Sequence, residues 1–161
     1  MNWDWFFDLL ANRYLLTGIS AWIIAQILKL LIHTVVHRKF EFHRLFGDGG
    51  MPSGHSATVT SVATMCALGC GLASVEFAIS AILMVIVVHD ATGVRRETGK
   101  QAVLLNQITA LLNDLSSNKI DTDVKLKEFV GHTHTQVIAG IILGFTVAML
   151  SHFFVFGPVV A

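Results

Sequence analysis

The stretch GDGGMPSGHSATVT, residues 47–60, joins two apolar segments and decides how the second of them begins. Pro52 lacks the backbone N–H that a first helical turn leaves without an acceptor, and the Ser53 side chain can cap that turn. Because the N–H groups of such a turn point at the space in front of it, they favour an anion there. His55 falls in the same turn. The stretch therefore predicts a helix with a polar, anion-binding start.

The composition is typical of a membrane protein. Of the 161 residues, 53% are hydrophobic and 14% are charged, whereas an average soluble domain has about 25% charged residues. The length fits a single domain over residues 1–161. The formal net charge is zero, so no overall field attracts nucleic acid. We expect one membrane-embedded domain that binds no nucleic acid, and a homo-oligomer is left open.

Four apolar segments approach the roughly 20 residues that a helix needs to cross a bilayer. They cover residues 14–36, 53–72, 75–90 and 134–160. The GCGLAS link between the second and third segments allows only a tight hairpin. The predicted fold is all-α, an integral-membrane helical bundle of about four transmembrane helices.

The long polar connections, residues 37–52 and 91–131, carry most of the positive charge. With four crossings both connections lie on the same side of the membrane. The positive-inside rule places that side in the cytoplasm and both termini outside. The Lys and Arg residues in the two connections are Arg38, Lys39, Arg44, Arg95, Arg96, Lys100, Lys119, Lys125 and Lys127.

An amphipathic helix is predicted over residues 100–115, in the last cytoplasmic loop. Leu104, Ile108, Leu111 and Leu115 recur there at helical spacing. Such a helix would lie on the bilayer surface or pack against the bundle. The alternative is a lid over a site.

Ionisable residues mark the predicted span ends. Lys29 lies inside the first segment, where a charge is costly and usually marks a site, although its ammonium group could instead snorkel to the surface. Asp90 at a helix C-terminus needs a cationic partner, and Arg95 or Arg96 is within reach. The remaining guanidinium can bind a phosphate through two hydrogen bonds. The alternative is that both arginines are only positively charged flanks.

The segment VGHTHTQVIAGIILG, residues 130–144, opens the last span. His132 and Gln136 are four residues apart, so on a helix face Gln136 can hydrogen-bond the imidazole and fix its tautomer. Gly140 and Gly144 continue this column and favour close helix packing. Two histidines, several cations and a helix start together suit phosphate chemistry, in which one imidazole attacks and another protonates the leaving group.

These motifs resemble those of the type 2 phosphatidic acid phosphatase and vanadium-dependent haloperoxidase superfamily. PSGH, residues 52–55, resembles its second signature, and GHTHTQVIAGIILG resembles its third, in a register that selects His132 because Gly140 then falls on the family glycine. The divergent bacterial and plant branch of that superfamily is similar in a further respect, since its hallmark motifs resemble GGMPSGHSA together with DATGVRR and GKQA in this chain. The resemblance extends from Lys29 to Gly144.

The resemblance implies a role for each candidate residue. His132 would be the nucleophile that forms a phosphohistidine, His55 the acid that protonates the leaving alkoxide, and Gln136 the partner that orients His132. It implies no metal and no other cofactor, and vanadate is not expected. The residues expected to hold the phosphate are Lys29, Arg38, Ser53, Gly54, Arg95 and Arg96, with Asp90 as a structural partner.

Three positions depart from the superfamily pattern. Val36 stands where the first signature has arginine, with Arg38 two residues later. Leu126 stands where the third signature has arginine, and Gln136 replaces an aspartate. Either GVRR, residues 93–96, supplies the missing arginine after a loop insertion, or the site is weakened.

The predicted activity is hydrolysis of a phosphomonoester or diphosphate on a lipid. Phosphatidylglycerophosphate, phosphatidate and polyprenyl phosphates all fit. One rival is a non-catalytic protein that binds or transports a lipid phosphate. Another is a metal site, and its ligands would be His89, Asp90, His132 and His134.

Overall fold

The computed structural model describes residues 3–40, 42, 50–115, 126 and 131–157. The loops predicted around Arg44 and Lys119 and the last residues of the fourth predicted span lie outside the described residues. Over the described residues the chain forms helices and turns, and the predicted all-α bundle is confirmed. The helices are α1 (Asp4–Ala11), α2 (Arg13–His37), α3 (Gly54–Gly69), α4 (Val75–Thr92), α5 (Val94–Leu115) and α6 (His134–Leu150), and α6 continues as a π-helix over Ser151–Phe156.

Side chains cap the starts of the four helices that form the bundle. Each cap accepts hydrogen bonds from backbone N–H groups of the first turn, which have no acceptor inside the helix. The cap predicted at Ser53 is confirmed, since its side chain accepts from the Ser56 N–H. The capping residues of α2, α3, α4 and α6 are Asn12, Ser53, Ser74 and Thr133.

Helix α3 lies at the centre of the bundle, in contact with α2, α4 and α6. It runs antiparallel to α2, because Gly69 packs beside Tyr14 and Gly18 beside Val62. Alanines Ala21, Ala25 and Ala57 form a buried cluster with Val147 of α6. Small side chains in this cluster let the helix backbones approach closely.

One end of the bundle collects the attachment points of both long connections. The Ser53 N–H donates to the Gln136 carbonyl at 3.0 Å, which joins the starts of α3 and α6. The His132 N–H donates to the Ala91 carbonyl at 3.1 Å, which joins the segment before α6 to the end of α4. Both connections therefore begin and end at the same end of the bundle.

Among the described residues, three segments are long and apolar enough to cross a membrane: Arg13–His37, Val75–Asn113 and His134–Phe156. The predicted second span, residues 53–72, is shorter than expected, since α3 has 16 residues. At 1.5 Å per residue it is about 24 Å long, against a hydrocarbon core of about 30 Å. It ends at Gly69 because the chain turns at Gly71, where φ is +88°.

The predicted amphipathic helix is present but begins earlier, at Val94 of α5. Gly93 separates it from α4. Its polar face binds the chain farther on, because the Asn106 side chain donates to the Leu126 carbonyl at 2.9 Å and accepts from the Leu126 N–H at 3.1 Å. Its apolar face is exposed along Leu104, Leu105, Ile108, Leu111, Leu112 and Leu115. The lid role stays a prediction.

Candidate active site

Two histidines face each other where α3 and α6 begin. The ring centroids of His55 and His132 are 6.2 Å apart, and the ring planes are inclined at 57°. His132 is 6% exposed, whereas His55 is exposed. The pair thus combines a buried imidazole, held in place, with one that solvent can reach.

The predicted hydrogen bond between His132 and Gln136 is present, but the predicted reason for it is wrong. The Gln136 Oε1 lies 3.2 Å from His132 Nδ1. His132 is not on the helix, because α6 begins at His134. The contact comes from a capping box, in which the Thr133 side chain accepts from the Gln136 N–H and Gln136 Oε1 accepts from the Thr133 N–H at 3.1 Å.

This capping box determines the tautomer of His132. A backbone N–H can only donate, so the Gln136 atom at Thr133 must be the amide oxygen. That oxygen can accept a second hydrogen bond but cannot donate one, so His132 Nδ1 carries the proton. In a neutral imidazole the lone pair then lies on Nε2.

The predicted glycine column of α6 packs against α3. A Cβ on Gly140 would lie 2.5 Å from the Ser53 carbonyl oxygen, and one on Gly144 would collide with the Ala57 carbonyl. Only glycine allows the two backbones this approach. The distance between the two helix starts, and with it the histidine pair, depends on both positions.

Ser53 is wholly buried, and its polar groups bind within the protein. Its N–H donates to Gln136, and its Oγ accepts from both the N–H and the hydroxyl of Ser56. Gly54 begins α3 beside the Trp22 ring. The N–H groups of Gly54 and His55 belong to the first turn, where the helix itself offers no acceptor. Phosphate binding by Ser53 and Gly54 stays a prediction.

Lys29 is buried at 6% exposure, with Gln26 similarly buried. Its aliphatic stem lies against Gly50, where φ is +90° and a Cβ would be 3.0 Å from Lys29 Cγ. Lys29 borders a cavity of about 170 Å³ together with the stacked rings of His33 and His37. The snorkelling alternative requires an ammonium group exposed at the surface, and this burial does not favour it.

The arginines of GVRR stand at the start of α5, just beyond the end of α4. Arg96 is exposed, and the side chain of Arg95 lies outside the described residues. Asp90 is half-buried in the last turn of α4. Arg38 caps the end of α2 in a left-handed conformation, φ 51°, and is exposed. The described contacts do not join either Arg38 or Arg96 to the histidine pair, so their phosphate contacts stay predictions.

Leu126, at the position where the superfamily has an arginine, is held by Asn106 of α5. The described geometry does not support the alternative hypothesis of a metal site. Within the described ranges, no three His, Cys, Asp or Glu side chains come close enough to share a metal ion. His89 and His134 are both exposed.

Two contributors to the site were missed in the sequence. Thr133 caps α6, and its signal was available, since Thr followed three residues later by Gln is a capping-box pattern. The Ala91 carbonyl anchors the His132 backbone. No local pattern could reveal that contact, because the two residues meet only when α4 and α6 pack.

Comparison with known proteins agrees with these motifs. The family model described as the divergent PAP2 family matches residues 10–147. An uncharacterized membrane protein of Bacillus subtilis (strain 168), YuiD, is 40% identical over 156 residues, which is 91% of this chain and 99% of that protein. No solved structure matches the chain. The chain is a membrane protein with three segments long and apolar enough to cross a bilayer among its described residues, and it belongs to the divergent PAP2 family.

Proposed function

We propose that the protein is an integral-membrane phosphatase that hydrolyses a phosphate monoester or diphosphate on a lipid. The observation that carries the proposal is the contact between His132 and Gln136, from which the tautomer of His132 follows. The hydrogen bond from His132 Nδ1 to Gln136 Oε1 leaves the nucleophilic lone pair on Nε2, and the imidazole of His55 lies 6.2 Å away, centroid to centroid. A phosphoryl group between the two rings would meet a nucleophile on one side and a proton donor on the other.

The reaction then has two steps. His132 Nε2 forms a bond to phosphorus while the bond from phosphorus to the lipid oxygen breaks, and His55 gives its proton to that oxygen. Water next attacks the phosphohistidine, the P–N bond breaks, and His55 takes up the proton of the water. His132 leaves the cycle in its starting tautomer.

Fixed cations would stabilise the charge on the phosphate oxygens. Lys29 is the best supported of these cations, because it is buried and borders a cavity at the end of the bundle where α3 and α6 begin. We assign a second cation to Arg95 or Arg96, with Arg38 and the first-turn N–H groups of α3 completing the set. Asp90 would pair with the arginine that does not contact phosphate.

Phosphate release from phosphatidate by the purified protein tests the proposal. His132→Ala should lower kcat/KM by about 10⁴-fold or more, as for removal of an enzyme nucleophile. His55→Ala should lower it by roughly 10²- to 10⁴-fold, the usual contribution of a general acid. His89→Ala is the matched control, since it removes an exposed histidine and should leave the rate unchanged. Full activity in His132→Ala would refute the mechanism.

The neutral Gln136 favours the second candidate function, a non-catalytic protein that binds or transports a lipid phosphate. An amide can orient imidazole but cannot stabilise imidazolium by charge, as a carboxylate does. This candidate predicts that the purified protein binds phosphatidate in vesicles and releases no phosphate. Turnover that depends on His132 would exclude it.

The bias of positive charge supports a cytoplasmic position for the site. In a chain whose Cys66 and Cys70 are replaced by serine, single cysteines introduced at Arg44 and Lys119 should both resist an impermeant thiol reagent in intact cells and react after permeabilisation. Labelling of either position from outside would place the site on the opposite face.

A further inference from the structure

The bundle contains an apolar groove on the same helices that build the histidine site. The groove has a volume of about 690 Å³ and is bounded by α3, α4 and α6. Its floor is α3, where Ala63 is 4% exposed, and Ile142 and Phe145 on its α6 rim are 62% and 52% exposed. The groove therefore opens sideways, towards what would be the bilayer.

The groove lies along α3, α4 and α6 away from the end that carries His132, and the first α6 residue in its lining, Ile141, comes nine residues after His132. The His132 backbone bridges the end of α4 and the start of α6 through its hydrogen bond to Ala91. The groove lies between these two helices, farther from the end where α6 begins. It runs past Ala81 of α4 and from Ile141 to Met149 of α6. Eight residues of helix correspond to about 12 Å, close to the depth of one leaflet, about 15 Å.

The chemistry of the groove fits a hydrocarbon chain. Its walls are almost wholly apolar around a volume of about 690 Å³, so an occupant with polar groups would leave them without hydrogen-bond partners. A hydrocarbon chain has no polar group to satisfy, and the open side of the groove would face the lipid that supplies one.

We propose that this groove binds a hydrocarbon chain of the lipid whose phosphate lies at His132 and His55. The polar end of such a lipid matches the site above, and its tail matches the apolar walls below. This inference rests on the proposed function only for the identity of the head group. It makes a long hydrocarbon chain part of what the protein recognises.

Filling the groove tests the proposal. Ala81→Phe places a ring in the groove, and Ala78→Phe, at an exposed position outside the groove lining on the same helix, is the matched control. On dioleoyl phosphatidate, Ala81→Phe should lower kcat/KM by about tenfold or more, the effect of unburying two or three methylenes. On glycerol 3-phosphate, which has no chain, both variants should match the wild type. Equal loss on both substrates, or no loss on dioleoyl phosphatidate, would overturn the proposal.

A binding measurement separates this proposal from the proposed function. His132→Ala protein in vesicles is irradiated with phosphatidate that carries a diazirine in its acyl chain, and with phosphatidylcholine that carries the same chain. Phosphatidate should label residues 77–84 and 141–149 several-fold more strongly, whether or not the wild type hydrolyses it. Equal labelling by the two lipids would show that the groove holds only bulk lipid, even if the protein is a phosphatase.

Discussion

The two histidines and the two arginines of the candidate site are positioned in different ways. His55 and His132 stand at the starts of α3 and α6, which are joined by the Ser53–Gln136 hydrogen bond and by glycine contacts between the backbones. Arg95 and Arg96 stand on α5, which packs mainly against α4 and follows it after Gly93. The imidazole geometry therefore follows from core packing, whereas the supply of guanidinium groups depends on the placement of one peripheral helix.

Of the substitutions that test this contrast, those of the two arginines should have the largest effect on kcat/KM. Losing the guanidinium that contacts phosphate removes a charge-assisted hydrogen bond, worth on the order of 2–4 kcal/mol or roughly 30- to 1000-fold in kcat/KM. Arg95→Ala and Arg96→Ala should differ, with one losing activity and the other losing thermal stability. Asp90→Asn should reproduce the second effect.

Near-normal turnover in both arginine variants would contradict the proposal that one of the two arginines contacts phosphate. GVRR would then be only a positively charged flank, and Lys29 and Arg38 would be left to bind the phosphate.

Helix packing should give the next largest effect. Gly144→Ala places a methyl group against the Ala57 carbonyl, and overpacking of this kind costs about 1–3 kcal/mol. We expect a lower Tm and a parallel loss of phosphatase activity. Both follow because α3 and α6 must move apart, and the two histidine rings move apart with them. Thr146→Ala, on the exposed face of α6, serves as control. A stable, fully active Gly144→Ala protein would show that the pair does not depend on this contact.

The smallest effect concerns the cap of α6. Gln136→Ala removes the acceptor for His132 Nδ1, a contribution of about 1–1.5 kcal/mol or roughly tenfold in kcat/KM. Gln136→Glu keeps the oxygen and adds a charge that stabilises imidazolium, so it should restore the rate or exceed it. Unchanged kcat/KM in Gln136→Ala would mean that packing alone orients His132.

Much of the fold followed from local patterns in the sequence. Apolar segment lengths predicted α2, α4 and α6, and leucine spacing predicted α5. The shortness of α3 was not predicted, because the apolar segment continues to Leu72 whereas the helix ends at Gly69, before the turn at Gly71. The start of α5 was placed too late, since the apolar stripe begins several residues after the helix does.

The site was partly predictable. His132 and Gln136 were paired from their spacing, although a cap and not a helix face joins them. The contact of His55 with His132 spans 77 residues of sequence, and the predicted topology could place the two histidines only on the same side of the membrane. The groove was beyond prediction, because it arises from small side chains of α3 and the separation of α4 from α6.

The most direct measurement is to trap the covalent intermediate. The purified protein is mixed with phosphatidate that carries radioactive phosphorus, quenched in alkali within one turnover, and digested to peptides. We predict label on the peptide that contains His132, stable in alkali and lost in acid. The label should be absent in His132→Ala, and it should accumulate in His55→Ala if that variant also slows hydrolysis of the phosphohistidine. Rapid phosphate release with no labelled peptide, or with label on another residue, would contradict it.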